Sequence, residues 1–231
     1  RISSSLKREK KPIASLSDEE RRKLVSETLG NISADYADTI LKDSGRNEFL
    51  IRRMEDLADR TLWAVGKQLE KGVFAPDVFE MPFIIDEHEI RSGENTGRMV
   101  IKGKIDRIDI CEDDDNVYVR IVDYKSGKSD FDLLKAYYGI KMQLVVYMDA
   151  AVKAEQRKYP NAEVKPAGIF YYNVKDPMLQ KEMEDDLDRL DPEIFKKLKM
   201  NGLVLAEDEV ISGLDRTTVS LPMAYTSTGL F

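Results

Sequence analysis

The heptapeptide Ile121-Val122-Asp123-Tyr124-Lys125-Ser126-Gly127 decides how this chain is read. β-branched residues run into an acid, a tyrosine and a lysine, and Ser-Gly then marks a turn. Side chains two apart on a strand share a face, so Asp123 and Lys125 are expected side by side at a strand end. Val117–Tyr124 reads as that strand. Upstream lie Met99–Ile110, a second β-rich run, and the acidic turn Glu112-Asp113-Asp114-Asp115-Asn116. Two such runs joined by a short polar turn predict a hairpin. Asp106 and Asp123 lie at similar distances from the turn, which predicts that the two carboxylates are neighbours across the ladder.

Working outward, Val78–Ile85 reads as a strand that Pro82 confines to an edge or a bulge, and Ala167–Val174 as a third core strand. Ser17-Asp18-Glu19-Glu20 is a capping box, opening a helix to about Leu29 with a stop at Gly30-Asn31. Leu50, Met54, Leu57, Leu62, Val65 and Leu69 recur at mostly three- and four-residue steps. They predict an amphipathic helix from Asn47 to Lys71, ended by Gly72, with Trp63 as a packing residue. A short helix is expected over 131–138 and a long one from Ile140 to about Lys158, ended by Pro160. A charged helical stretch over 178–200 is expected to break at Pro192. The last thirty residues give no clear pattern. This order predicts the α/β class, a mixed β-sheet flanked by helices on both sides. The expected divisions are a flexible lead-in 1–16, a helical part 17–75, a core 76–215 and a tail 216–231.

The 231 residues are 42% apolar and 34% charged, with a net charge of −7. That disfavours a generic nucleic-acid coat protein, which would be basic. It leaves room for an enzyme that grips nucleic acid through a local groove. No run of about 18 apolar residues suggests a membrane span, and the N-terminal residues lack the apolar core of a secretory signal. A single cysteine, Cys111, rules out an internal disulfide framework or a multi-cysteine metal site. It fits a reducing, cytoplasmic compartment. The missing initiator Met reads as a piece of something longer.

Two adjacent carboxylates repel, and one takes a proton unless a cation shares the site. Mg²⁺ is a hard ion often bound by one or two carboxylates, with water and phosphate oxygens completing its shell. A lysine beside it can orient or deprotonate water and stabilise charge at a phosphodiester under attack. The pattern describes a metal-dependent phosphodiester hydrolase. The competing reading of Asp-x-Lys is a surface ion pair worth under about 1 kcal/mol.

Three stretches narrow the choice. They are Gly103-Lys104-Ile105-Asp106-Arg107-Ile108-Asp109, Val122-Asp123-Tyr124-Lys125-Ser126-Gly127, and Gln143-Leu144-Val145-Val146-Tyr147. In order and spacing they resemble the successive motifs of the RecB-like nuclease domains of the PD-(D/E)xK superfamily: a G-x-I-D strand, a D-Y-K strand end and a Q-x-x-x-Y helix. The stretch from Phe195 to Asp215 is similar to the segment after this domain in AddB-type members, so the resemblance covers roughly residues 76–215. It implies a restriction-endonuclease-like core and a Mg²⁺-dependent deoxyribonuclease, with Mn²⁺ able to substitute. In that family the activity is an exonuclease of a helicase–nuclease in double-strand break repair and recombination, with DNA and an AddA-like subunit as partners. Carried over by position, Asp106 and Asp123 would be metal ligands and Lys125 the catalytic lysine. Gln143 and Tyr147, four apart on one helix face, would face the active site and DNA. Glu80, on the strand before G-x-I-D, is an outlying candidate for active-site support.

Two features depart from the family. Its upstream helix carries a histidine, whereas the only histidine here is His88, expected in a solvated loop. AddB-type domains also hold an iron–sulfur cluster on four flanking cysteines, and Cys111 sits instead within the hairpin. Histidine and cluster are therefore expected in a full-length parent, and the activity of the isolated chain stays open. The acidic turn 112–115 is expected to be solvated and away from DNA, and Lys7–Lys11 to be a tail. The rival reading is a non-catalytic, nuclease-like DNA-binding or scaffolding module.

Overall fold

A computed structural model describes residues 11–35, 45–92, 95–177, 187–221, 225–226 and 229–230, with Ile2 and Leu6. The capping box closes: Ser17 Oγ accepts from the Glu20 N–H at 3.2 Å, and Glu20 Oε2 accepts from the Ser17 N–H at 3.0 Å. Helix α1 (Asp18–Asp35) starts there but runs through Gly30-Asn31, where a stop was expected. A glycine inside a helix costs only about 1 kcal/mol, which tertiary contacts override. α1 is tied to α2 (Gly45–Glu70) by the largely buried Arg21, whose Nε lies 2.7 Å from Asp59 Oδ1. Leu6 and Ile13, in the stretch read as a lead-in, are buried with Val65 of α2.

The sheet contains β1 (Ala75–Ser92), β2 (Asn95–Asp113), β3 (Asn116–Lys125), β4 (Glu163–Asn173) and β5 (Asn201–Val204), in the order β1-β2-β3-β4-β5. β3 and β4 are parallel, and the other pairs are antiparallel. β1 lies at the edge, as its proline predicts, with register shifts between Pro76 and Val78 and between Ile85 and His88. It also extends further than expected. His88 lies not in a loop but in β1, opposite Met99, because a β1–β2 arm continues to Ser92 opposite Asn95. That arm gets its hydrogen bonds from its partner strand, so its sequence need not show an apolar face.

Between the parallel strands the chain passes through α3 (Leu133–Tyr137) and α4 (Gln143–Lys158); α5 (Leu187–Lys197) and α6 (Asp208–Leu214) flank β5 in sequence. A small hairpin pairs β6 (Tyr225–Thr226) with β7 (Gly229–Leu230). Pro192 lies inside α5 and does not break it. The cost of about 3 kcal/mol for an internal proline is offset where Ile194, Phe195 and Leu198 are buried in the core, each contributing about 1.5–3 kcal/mol. Residues 178–186 of the same expected helix lie outside the described residues.

Strand alternation divides the core in two. On one face Val119, Ile121 and Ile169 pack with Leu144, Met148 and Ala151 of α4. On the other, Val122, Phe170 and Tyr172 pack with Ala64 of α2, Ile194 of α5, Leu198 just beyond it and Ile211 of α6. Trp63 is a packing residue there, edge-on to Phe195 at 6.1 Å. The second face also buries charge. Arg107, Asp109 and Arg120 are each at most 1% exposed. Asp109 Oδ1 lies 2.9 Å from Arg107 Nε, and Asp109 Oδ2 2.6 Å from Arg120 Nη2. Arg107 Nη1 donates to Tyr124 Oη at 2.6 Å, and Arg120 lies over the Phe74 ring at 5.2 Å. No helix among the described residues is long and apolar enough to cross a membrane.

Candidate active site

Alternation places Asp123 on the α4 face, at the C-terminal end of β3. Arg107 is partnered by Val122, so Asp106 and Asp123 occupy the next positions outward. The Tyr124 N–H donates to Asp106 Oδ2 at 2.8 Å and fixes that carboxylate against β3. Asp123 is buried, at 3% exposure, and Asp106 is partly buried. Burial raises the Asp106 pKa above the usual carboxylate range; the Tyr124 N–H opposes this, and the charges of Asp123 and Glu80 add to it.

Lys125 emerges on the same face as Asp123. Its Nζ lies 2.6 Å from Asp123 Oδ2 and donates to Gln143 Oε1 at 3.0 Å. It also lies 5.4 Å from the centre of the Tyr171 ring. Burial works against its charge, but the hydrogen bond and attraction to Asp123 outweigh burial, and its pKa is raised. The Asp123 carboxylate therefore favours the ammonium form of Lys125.

Gln143 opens α4, and its amide is a junction. Nε2 donates to Tyr147 Oη at 2.9 Å and to Asp123 Oδ1 at 3.4 Å, while Oε1 accepts from Lys125. Tyr147 sits one turn on, edge-on to Phe83 at 5.4 Å. The motif glycine explains that seat. A Cβ on Gly103 would meet the Phe83 ring at 2.5 Å and the Tyr147 ring at 3.3 Å. Only a residue without a side chain leaves the two rings room to pack over β2.

The structure thus brings together Asp106, Asp123, Lys125, Gln143 and Tyr147. Glu80 sits differently. Its neighbours Phe79 and Met81 pair with Arg107 and Ile105, which places it level with Asp106. Its backbone adopts φ 55°, rare for a non-glycine residue, and its carboxylate is ion-paired with Lys104. It reaches Asp106 through charge alone. Cys111 is a free, half-buried thiol on β2 opposite Tyr118.

Sequence reasoning missed Tyr171, Phe83 and two asparagines. Asn173 Oδ1 accepts from the Ser129 N–H at 2.8 Å, and its Nδ2 donates to Ser129 O at 2.9 Å. Asn201 Oδ1 accepts from the Phe131 N–H. Together they pin the loop leaving Lys125. The signal lies in the parallel register, which sets Tyr171 against Asp123 and Asn173 against Lys125.

Among the described residues no group of three or more His, Cys, Asp or Glu side chains is arranged to hold a metal. The candidate oxygen donors are the Asp106 and Asp123 carboxylates. Two hard oxygen donors beside one ammonium carry a net negative charge, which fits an ion that completes its shell with water or phosphate oxygens.

Comparison with known proteins identifies the family. The profile of the PD-(D/E)XK nuclease superfamily matches residues 4–215. The chain belongs to that superfamily. Its five-stranded mixed sheet with flanking helices is consistent with the PD-(D/E)XK nuclease fold. It is 35% identical over 224 residues to the ATP-dependent helicase/deoxyribonuclease B-subunit of Alkaliphilus oremlandii (strain OhILAs), covering 93% of the chain and 19% of that protein. The namesake of Lachnoclostridium phytofermentans is 39% identical over 180 residues, 78% of the chain and 14% of that protein. The one from Thermoanaerobacter sp. (strain X514) is 31% identical over 228 residues, 94% of the chain and 19% of that protein. The chain therefore spans about a fifth or less of the length of these relatives.

Proposed function

We propose that this chain is the deoxyribonuclease domain of a helicase–nuclease. In this reading residues 76–215 form the catalytic core and hydrolyse DNA phosphodiester bonds with a divalent cation, Mg²⁺ or in its place Mn²⁺. One observation carries the proposal: Asp106 and Asp123 adjoin on paired strands, with Lys125 bonded to Asp123 and held by Gln143. Asp106 and Asp123 would hold the ion through their carboxylate oxygens. When bound, it supplies charge stabilisation at the phosphate and an activated nucleophile.

The chain's own groups do the rest. Lys125, kept as an ammonium by Asp123, sits where it would stabilise charge growing on the phosphate and orient the attacking water. Gln143 fixes the Lys125 head, and Tyr147 fixes Gln143. The N-terminal turn of α4 carries no acidic side chain of its own, so the positive end of its dipole would favour an anion there. The names of the relatives support DNA as substrate, and membership of a helicase–nuclease complex follows in the same proposal. It extends to exonuclease action in break repair with an AddA-like partner subunit.

The test is Mn²⁺ calorimetry on wild type and Asp123→Ala, paired with a DNA cleavage assay. Binding and cleavage should both vanish in the variant while its circular dichroism is unchanged. Cleavage that survives Asp123→Ala would sink the assignment. DNA bound equally well in chelator, with no cleavage in metal, would favour a non-catalytic module.

A further inference from the structure

The segment between Lys125 and Gln143 displays large apolar side chains. Tyr137 is 82% and Tyr138 68% exposed, and Leu133, Leu134, Ile140 and Met142 are exposed with them. Single exposed apolar residues are ordinary, but a contiguous set marks a binding surface. The segment is firmly built. The Asp132 side chain caps α3 by accepting from the Lys135 N–H at 3.0 Å. Gly139 takes a left-handed turn at φ 73°, and the Ile140 N–H donates back to Lys135 O at 2.8 Å. Ala136 is buried beneath it, and the two asparagines pin its lead-in loop. Its two ends are Lys125 and Gln143, whose side chains meet at 3.0 Å. The segment therefore leaves the candidate active site and returns to it.

We propose that this segment is a stacking platform for unpaired bases, with Tyr137 and Tyr138 receiving base faces of a single DNA strand that enters or leaves the site. The proposal rests on the nuclease reading of the adjoining site and names the residues that receive the strand. Non-specific single-strand sites combine aromatic faces with nearby positive charge. Lys128, Lys135 and Lys141 lie among the apolar residues. Lys135 pairs with Asp132 at 3.2 Å, Lys128 with Asp130 at 3.6 Å, and Lys141 donates to Asp130 O at 3.4 Å. Exposed pairs of this kind are weak and exchange easily for phosphate. Between Lys128 and Met142 three lysines outnumber two aspartates, and that positive balance favours a phosphate backbone on this face. A duplex hides its base faces and leaves the tyrosines nothing to stack on.

The test uses this chain in EDTA, with fluorescence anisotropy of labelled (dT)20. Wild type is expected to bind, and unlabelled duplex of the same length to compete poorly. The Tyr137→Ala/Tyr138→Ala variant should bind at least about tenfold more weakly, since stacking is worth about 1–3 kcal/mol per base and about 1.4 kcal/mol is tenfold. The corresponding double Phe variant should bind within about twofold of wild type, because phenyl faces stack equally. Unchanged affinity in the Ala variant, or no binding by wild type, overturns the proposal. So does a wild-type dimer that the Ala variant dissociates without a change in DNA affinity; the surface would then belong to protein. Because binding is read without metal, loss of cleavage in Asp123→Ala with tyrosine-dependent binding intact separates this proposal from the nuclease reading.

Discussion

Asp106 and Arg107 adjoin in sequence, yet they serve opposite faces of the sheet and two opposite kinds of charge cluster. Behind the sheet, two guanidinium groups share one carboxylate, Asp109. The guanidiniums also meet the Tyr124 hydroxyl, which accepts from Arg107, and the Phe74 ring beneath Arg120, and solvent is excluded. In front, two carboxylates share one ammonium, Lys125, and Asp106 stays partly open. The rear cluster is closed around its charges. The front cluster keeps a negative surplus, an accessible oxygen donor and a raised Asp106 pKa. A buried ion cluster is thus not by itself a sign of function; unneutralised charge with an opening to solvent is the better one.

The largest effect expected from breaking this contrast is on stability. Asp109→Ala leaves two buried guanidiniums without a counter-charge and should cost about 3–5 kcal/mol, read as a lowered urea midpoint. Asp123→Ala should cost less, about 1–2 kcal/mol, because Lys125, with a side chain 28% exposed, can turn to water. The order of the two urea midpoints checks the comparison; equal losses would mean that the front cluster is as closed as the rear.

Asp106→Asn sharpens the same point with pH. Asn can still accept from the Tyr124 N–H, and it carries no charge to desolvate. The folded-state pKa of Asp106 is raised, so its ionised form is a net cost to folding. That cost is complete above the folded pKa, fades as pH falls, and is gone below the ordinary carboxylate value. Asp106→Asn should therefore raise the melting temperature of the metal-free chain at pH 7 and leave it unchanged at strongly acid pH. Mn²⁺ affinity should fall in the same variant. A variant less stable at pH 7 would show that Asp106 is stabilising as built.

Much of this was legible because it is local. The hairpin, the edge position of β1, the Ser17 cap and the shared face of Asp123 and Lys125 follow from alternation and turn chemistry within a few residues. The rear cluster was not. Arg107, Asp109 and Arg120 stand at every-other positions between apolar residues, the pattern of a half-solvated strand. Only the cover of α2, α5 and α6 turns that face into core. Tyr171 and Asn173 depend on a parallel register that no short stretch encodes. Pro192 and Gly30 misled because propensity is a weak prior against buried side chains. The motif letters placed Gly103 and Tyr147 near the site, but the Phe83 ring that links them comes from another strand.

That link gives the smallest and most specific prediction. Tyr147 Oη accepts the Gln143 amide at 2.9 Å, while its ring packs on Phe83. Tyr147→Phe keeps the ring and removes the acceptor. Stability should fall by about 0.5–1.5 kcal/mol, the usual worth of one hydrogen bond. Cleavage should fall severalfold, because Gln143 loses the anchor that aims its Oε1 at Lys125. Tyr147→Leu removes the ring as well and should cost more on both counts. If Tyr147→Phe slows cleavage while leaving Mn²⁺ affinity unchanged, the Tyr147–Gln143 pair acts on the lysine and not on the carboxylates. The front cluster would then divide into an ion-holding half, Asp106 with Asp123, and a lysine-aiming half built on α4. If Mn²⁺ affinity falls in step with cleavage, the 3.4 Å contact from Gln143 to Asp123 is the one that matters, and the two halves act as one.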